Sequence, residues 1–283
     1  MVQEPQRSGG DTILEVDGLT KVFAWRGHSH VAVDGVSFAL HAGGSLAVVG
    51  ESGSGKTTIA RIIAGLETAT SGTVVVDGRT ITAKAGDVSA RRGLRGNRGG
   101  RSERDRVVQM VFQDPFGSLD PRQRIGAGLS ELLTIHFDLS RTARSARVSD
   151  LLQQVGLDDR HAQMVPRTLS GGQRQRVAIA RALAVEPKVL ILDEAVSALD
   201  VSVQAQVLNL LADIRAETGI SYLFVSHDLG VVRQITDTCI VLNRGAVVEA
   251  GSTSQVLDDP RDPYTQALLE AVPKPGWRPR RRT

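Results

Sequence analysis

The run SLAVVGESGSGKTTIARIIAGL constrains this chain more than any other stretch of it. A strand-length apolar segment leads into Gly50-Glu51-Ser52-Gly53-Ser54-Gly55-Lys56-Thr57-Thr58, and an apolar helical stretch follows. The pattern G-x-x-x-x-G-K-[ST] therefore sits in the strand–loop–helix context that gives it meaning. Gly50, Gly53 and Gly55 let backbone N–H groups converge on phosphate oxygens, and the positive end of the following helix adds to the attraction. Lys56 supplies a cation for the β- and γ-phosphates, and Thr57 a hydroxyl for magnesium. Glu51, Ser52, Ser54 and Thr58 complete the loop. Such a loop predicts binding of a nucleoside triphosphate; what the binding drives must be read elsewhere.

The remaining segments agree with a P-loop NTPase core of the α/β class. ILEVDGL, VSFAL, TVVVDG, VVQMVF, VLILD, SYLFVS, CIVLN and AVVEA have strand character and alternate irregularly with helical stretches. SLAVV, VLIL and YLFV are continuously apolar, as central parallel strands covered on both faces must be, whereas the early segments alternate and predict an antiparallel β subdomain. Between Asp114 and Ser170 strand signals vanish. Helical stretches at Ile125 to Ile135 and Thr142 to Val155, the latter with Leu151, Leu152 and Val155 on one face, predict an inserted helical subdomain over about 114–170. After Gly251 the composition turns to Pro, Asp and Arg, with one short amphipathic piece at Tyr264 to Val272.

Composition excludes several classes. With 283 residues and 41% hydrophobic content the chain can bury a full core as one principal domain with appendages. No window approaches the roughly 18 uninterrupted apolar residues of a membrane-spanning helix, so membrane association is expected only through a partner. The opening MVQEPQRSGG lacks a secretion signal's apolar stretch and cleavage site, which points to the cytoplasm. The single cysteine, Cys239, excludes an internal disulfide and reads as small core filler. Arginines cluster at Arg91 to Arg106 and Arg278 to Arg282 against a net charge of only +3, and with no interleaved aromatics they read as solvated segments.

Two further motifs carry chemistry. The apolar strand VLIL ends in Asp193-Glu194, which places Asp193 to hold hydrated magnesium and leaves Glu194 to orient and deprotonate a water. Taken alone, the acid pair is equally compatible with an ordinary strand terminus. Leu169-Ser170-Gly171-Gly172-Gln173 opens a helical run in which Val177, Ala180, Leu183 and Ala184 share a face; it reads as an anion site or simply as a capped helix.

In this order, the phosphate loop, Gln113 in VFQDP, LSGGQ, the Asp-Glu strand end, SALD and His227 in FVSHDL resemble the ATPases of the ABC family from about residue 12 to 251. The resemblance implies ATP bound with Mg2+ between two ATPase subunits, the loop of one facing Ser170, Gly171, Gly172 and Gln173 of the other. It further implies that Phe23 stacks on adenine, unless it is a core aromatic. Gln113 would sense magnesium, Asp200 would lie in a loop linking the subunits, and His227 would contact the γ-phosphate, joining Glu194 in catalysis. His28, His30, His41, His136 and His161 have no such context and are expected to be solvated or structural.

GLETATSGTVVVDG, VFQDPFGSLDPR, VSALDVSVQAQVLNLL and DDPRDPYTQALLEAVP resemble the dipeptide, oligopeptide and nickel importer ATPases, most closely the second ATPase of such pairs. That implies two transmembrane permease subunits, an external substrate-binding protein, a place on the cytoplasmic face of the membrane and peptide as cargo, nickel less so. Residues 1–11 would be a flexible N-terminus, 12–251 the ATPase domain and 252–283 an extension with a basic tail. Two positions depart from the pattern: Ala195 stands for a proline, and Asp262 for a histidine before Pro263-Tyr264-Thr265. An ABC ATPase acting on nucleic acid or ribosomes is the alternative. Neither the split cassette nor the doubled cassette of those relatives is present, and no nucleic acid is expected.

Overall fold

A computed structural model describes residues 11–25, 28–81, 106–114, 117 and 119–271. The expected flexible N-terminus except Asp11, all but Arg106 of the arginine-rich stretch, and the basic tail lie outside the described residues.

Two sheets form the frame. Strands β1 (Thr12–Trp25), β2 (His28–His41), β4 (Ser71–Val76) and β5 (Arg79–Thr80) make an antiparallel sheet in the order β2-β1-β4-β5. The second sheet has the order β10-β9-β3-β8-β7-β6, built from β3 (Ser45–Val49), β6 (Val108–Val111), β7 (Val189–Asp193), β8 (Ser221–Ser226), β9 (Thr238–Asn243) and β10 (Ala246–Ser252). It is parallel except for β10. β1 runs well past the expected ILEVDGL, because TKVFAW continues pairing with β2 through three register shifts after Val16. A strand interrupted by bulges loses the period-two alternation that would announce it.

Burial explains the apolar runs. All five residues of β3 are buried, as are those of β7, and successive side chains enter opposite cores. Leu46 and Val48 join Ile191, Val225 and the antiparallel sheet around α1 (Lys56–Ile63). Ala47 and Val49 join Leu192 and Phe224 beneath α2 (Ile125–His136), α3 (Arg141–Gln154), α4 (Gly171–Leu183), α5 (Val201–Thr218) and α6 (Leu229–Ile235). Among the described residues no strand falls between Val111 and Val189, and helices fill the interval. Two short helices complete the described chain, α7 (Thr253–Asp258), which had no clear sequence signal, and α8 (Pro263–Glu270).

Cys239 faces the helical core at 1% exposure, and burial, assisted by the Glu249 carboxylate, pushes its thiol up to about 12. The thiolate is the reactive form, so native protein is expected to resist maleimide labelling and to react fully in denaturant. Rapid labelling of the native chain would show that β9 opens.

Candidate active site

The parallel strands explain why residues spread from 50 to 227 converge. β3, β6, β7 and β8 end together, with Val49 paired to Ser226, Val225 to Asp193 and Leu192 to Val111. Gly50, Gln113, Glu194 and His227 follow these ends directly or by two residues, so one sheet edge receives all four. This is the edge where open α/β sheets place their ligands.

The phosphate loop is held against its own scaffold. Gly50 adopts φ 149°, and a Cβ there would come within 2.3 Å of the Leu242 carbonyl oxygen; one at Gly55, φ 105°, would come as close to that of Ala32. Side chains are excluded at both positions, which lets the loop backbone lie directly against the strands that support it. Lys56, 5% exposed, donates from Nζ to the carbonyl oxygens of Gly50 at 2.7 Å and Glu51 at 2.8 Å. Burial lowers its pKa, and the carboxylates of Glu194, Asp193 and Glu51 oppose the shift. A desolvated ammonium folded over two carbonyls is poised to exchange them for a stronger anion.

Across from it, Thr57 donates from Oγ1 to Asp193 Oδ1 at 3.1 Å. Burial raises the Asp193 pKa, and the Thr57 hydrogen bond works against that rise. A hydroxyl and a buried carboxylate side by side beneath a phosphate loop form an oxygen donor set that suits a hard cation such as magnesium.

Glu194 has φ 48°, a left-handed conformation that non-glycine residues rarely adopt. Hydrogen bonds fix it on both sides. Its N–H donates to the Val225 carbonyl at 2.9 Å, and its own carbonyl accepts from Ser197 N and Ser197 Oγ at 3.1 and 2.9 Å. The side chain reaches His227, with Oε1 3.1 Å from Nδ1. Gln113 Nε2 donates to Ser197 Oγ at 3.3 Å. A hydrogen-bonded chain thus crosses the edge from Gln113 through Ser197 and Glu194 to His227.

Other candidates stand apart. Ser170 caps α4, its Oγ accepting from Gln173 N at 3.2 Å while Gln173 Oε1 accepts from Ser170 N at 3.0 Å. Gly171 lies near Leu199, and Gly172 packs against Val203. Among the described residues, no hydrogen bond joins this segment to the phosphate loop of the same chain. Asp200 caps α5, accepting from Val203 N at 3.0 Å and Ser202 Oγ at 2.7 Å, and the Val203 amide leads in lowering its pKa. Phe23 is 41% exposed rather than a core aromatic, with Lys21 Nζ 4.7 Å from its ring centroid. His161 is buried between Asp158 and Gln173, in keeping with a structural role.

Two residues at the site carried no role in the sequence. Ser197 was legible only as part of SALD, yet it ties Gln113 to Glu194. Tyr264 Oη accepts from Glu51 N at 3.2 Å, a contact spanning 213 positions that no local pattern announces.

Comparison with known proteins supplies the family. The ABC transporter family model matches residues 33–197, and that of the oligopeptide/dipeptide transporter C-terminal region matches 248–283. The di/tripeptide transport ATP-binding protein DppF of Pseudomonas aeruginosa is 45% identical over 93% of this chain and 80% of its own length. The dipeptide transport ATP-binding protein DppF of Escherichia coli is 46% identical over 86% of this chain and 69% of its own. Among solved structures, cbiO1 of Clostridium perfringens, part of the ABC transporter complex cbiONQ, superposes with a TM-score of 0.74 at 27% identity, covering 88% of this chain and 92% of that one. The cassette MJ0796, in a dimeric post-hydrolysis state bound to ADP and Pi, gives 0.70 at 28% identity, covering 85% and 98%. The chain thus belongs to the ABC transporter family as an ATP-binding subunit, an ATPase whose phosphate-loop motif stands at this sheet edge.

Proposed function

We propose that this chain is one of two ATPase subunits that drive a peptide importer from the cytoplasmic face of a membrane. The peptide cargo is supported by the two DppF relatives and by the C-terminal match at 248–283. Residues 12–251 serve as the ATPase domain, with a helical subdomain over 114–170, and 252–283 as the transporter-type extension. Two permease subunits and an external binding protein complete the machine.

The observation that carries the two-subunit arrangement is that, among the described residues, no hydrogen bond joins Ser170, Gly171, Gly172 and Gln173 to this chain's own phosphate loop. A glycine-rich helix start is an anion site, and one left unused by its own loop is free to serve the ATP of another subunit. Asp200 lies in the loop between the subunits, beside that helix. Gly50 to Thr58 wrap the triphosphate, and exposed Phe23 offers its face to adenine. Glu194 takes the proton of the attacking water, held by its pinned backbone and by His227, which also meets the γ-phosphate. Thr57, Asp193 and the Gln113 side chain would hold magnesium, which would supply Lewis-acid charge at the phosphates. Closure on ATP and reopening after hydrolysis then move the permeases.

The assembly is open to direct test. A tagged copy recovered from detergent-solubilised membranes should bring down two multi-span proteins and a second ATPase. Recovery without any membrane protein would overturn the importer assignment.

A further inference from the structure

We propose that Tyr264, carried by the C-terminal segment, is a positioning residue for the phosphate loop, so that this segment sets the nucleotide affinity of the site. The inference rests on the site binding ATP as described above.

The peptide group between Gly50 and Glu51 is gripped at both ends. Its carbonyl accepts from Lys56 Nζ at 2.7 Å, and its N–H donates to Tyr264 Oη at 3.2 Å. When Lys56 turns toward phosphate it gives up the carbonyl, and the tyrosine hydroxyl remains as a hold on that peptide. Gly50 also packs against β9, since a Cβ there would meet the Leu242 oxygen at 2.3 Å. The tyrosine thus fixes the loop at the point where it leaves the sheet.

The hydroxyl is itself held in place. Glu249, 9% exposed on β10, accepts from Arg261 N at 2.8 Å and Asp262 N at 3.2 Å, one amide to each carboxylate oxygen. Asp262 Oδ1 accepts from Tyr264 N at 2.8 Å, and Gln266 Nε2 donates to the Pro260 carbonyl at 2.9 Å. Pro263 opens α8 with its φ already suited to a helix. A carboxylate on the central sheet therefore sets the start of α8, and α8 sets the ring. Asp262, the departure from the expected histidine, serves here as the helix cap.

A loop ordered before ATP arrives binds it more tightly, because less ordering remains to be done on binding. Glu51 N–H is taken up by Tyr264 and belongs to none of the groups assigned to the chemical step, so loss of this bond weakens binding and spares that step.

Titration of the full-length chain with a fluorescent ATP analogue, together with steady-state hydrolysis by the complex it purifies with, separates the two effects. Tyr264→Phe removes one hydroxyl and is expected to weaken analogue binding and raise the KM for ATP by about 3- to 10-fold, with kcat within about twofold of wild type. Glu249→Gln, which replaces an acceptor oxygen by an NH2 opposite a backbone N–H, is expected to act in the same direction. Wild-type affinity in either variant would overturn the proposal, as would a fall in kcat equal to the loss in affinity. A wild-type chain that binds no ATP would overturn the ATP site itself.

Discussion

Glu194→Gln is expected to lower ATP hydrolysis by about 10²- to 10⁴-fold, roughly 3–5 kcal/mol of barrier, while ATP binding is retained. The substitution keeps shape and hydrogen-bonding reach and removes the negative charge, and with it the ability to take a proton. Nothing nearby replaces it. Asp193 lies one residue away, but its Oδ1 is engaged by Thr57 at 3.1 Å, and its carboxylate is the one proposed to hold the cation. His227 touches Glu194 at 3.1 Å and is 58% exposed, so it holds the base without sharing its sheltered position. The φ of 48° costs conformational energy, on the order of 1–3 kcal/mol for such strain, and the bonds to Val225 and Ser197 sustain it. Because residue 194 makes those bonds with its own backbone N–H and carbonyl, they survive the substitution and the glutamine amide stays in place. Phosphate release and nucleotide titration on the same preparation provide the check. Wild-type turnover in the variant would sink the assignment of Glu194 as base.

Much of this site was legible in the sequence because its parts are local and its scaffold periodic. The phosphate loop needs a strand, glycines and a helix in succession, and the continuous apolar runs of β3, β7 and β8 give away a doubly covered parallel sheet. Once those strands are parallel, a residue just past each strand end lands on the same edge, which is how Gln113, Glu194 and His227 meet. What escaped was of another kind. The bulged half of β1 has no alternation to detect, the strain at Glu194 belongs to the folded backbone, and the Glu51–Tyr264 contact joins the loop to a segment read as an importer-type extension with no tie to the site. The Ser197 bridge lies between these cases, named by a motif yet given its partners by the fold.

Lys56→Ala should separate ATP binding from the stability of the empty fold, weakening nucleotide binding by about 10- to 100-fold as one charge-assisted phosphate contact is lost. In the empty protein two effects oppose each other. Removing the ammonium leaves the Gly50 and Glu51 carbonyls without their donor. It also relieves the desolvation that lowers the Lys56 pKa below its ordinary 10.5, and a buried base with a lowered pKa destabilises the fold for as long as it is charged. The melting temperature without nucleotide is therefore expected to change little, whereas the rise that ATP produces in the wild type should largely vanish, since that rise scales with the logarithm of ligand over Kd. Asp193 and Glu194 also lose the cation that offsets their charge, which weakens binding of a polyanion further. Thermal melts with and without ATP read both quantities at once. A variant that keeps the full ATP-induced rise would show that the phosphates are held by the loop amides alone, and Lys56 would lose its place in the site.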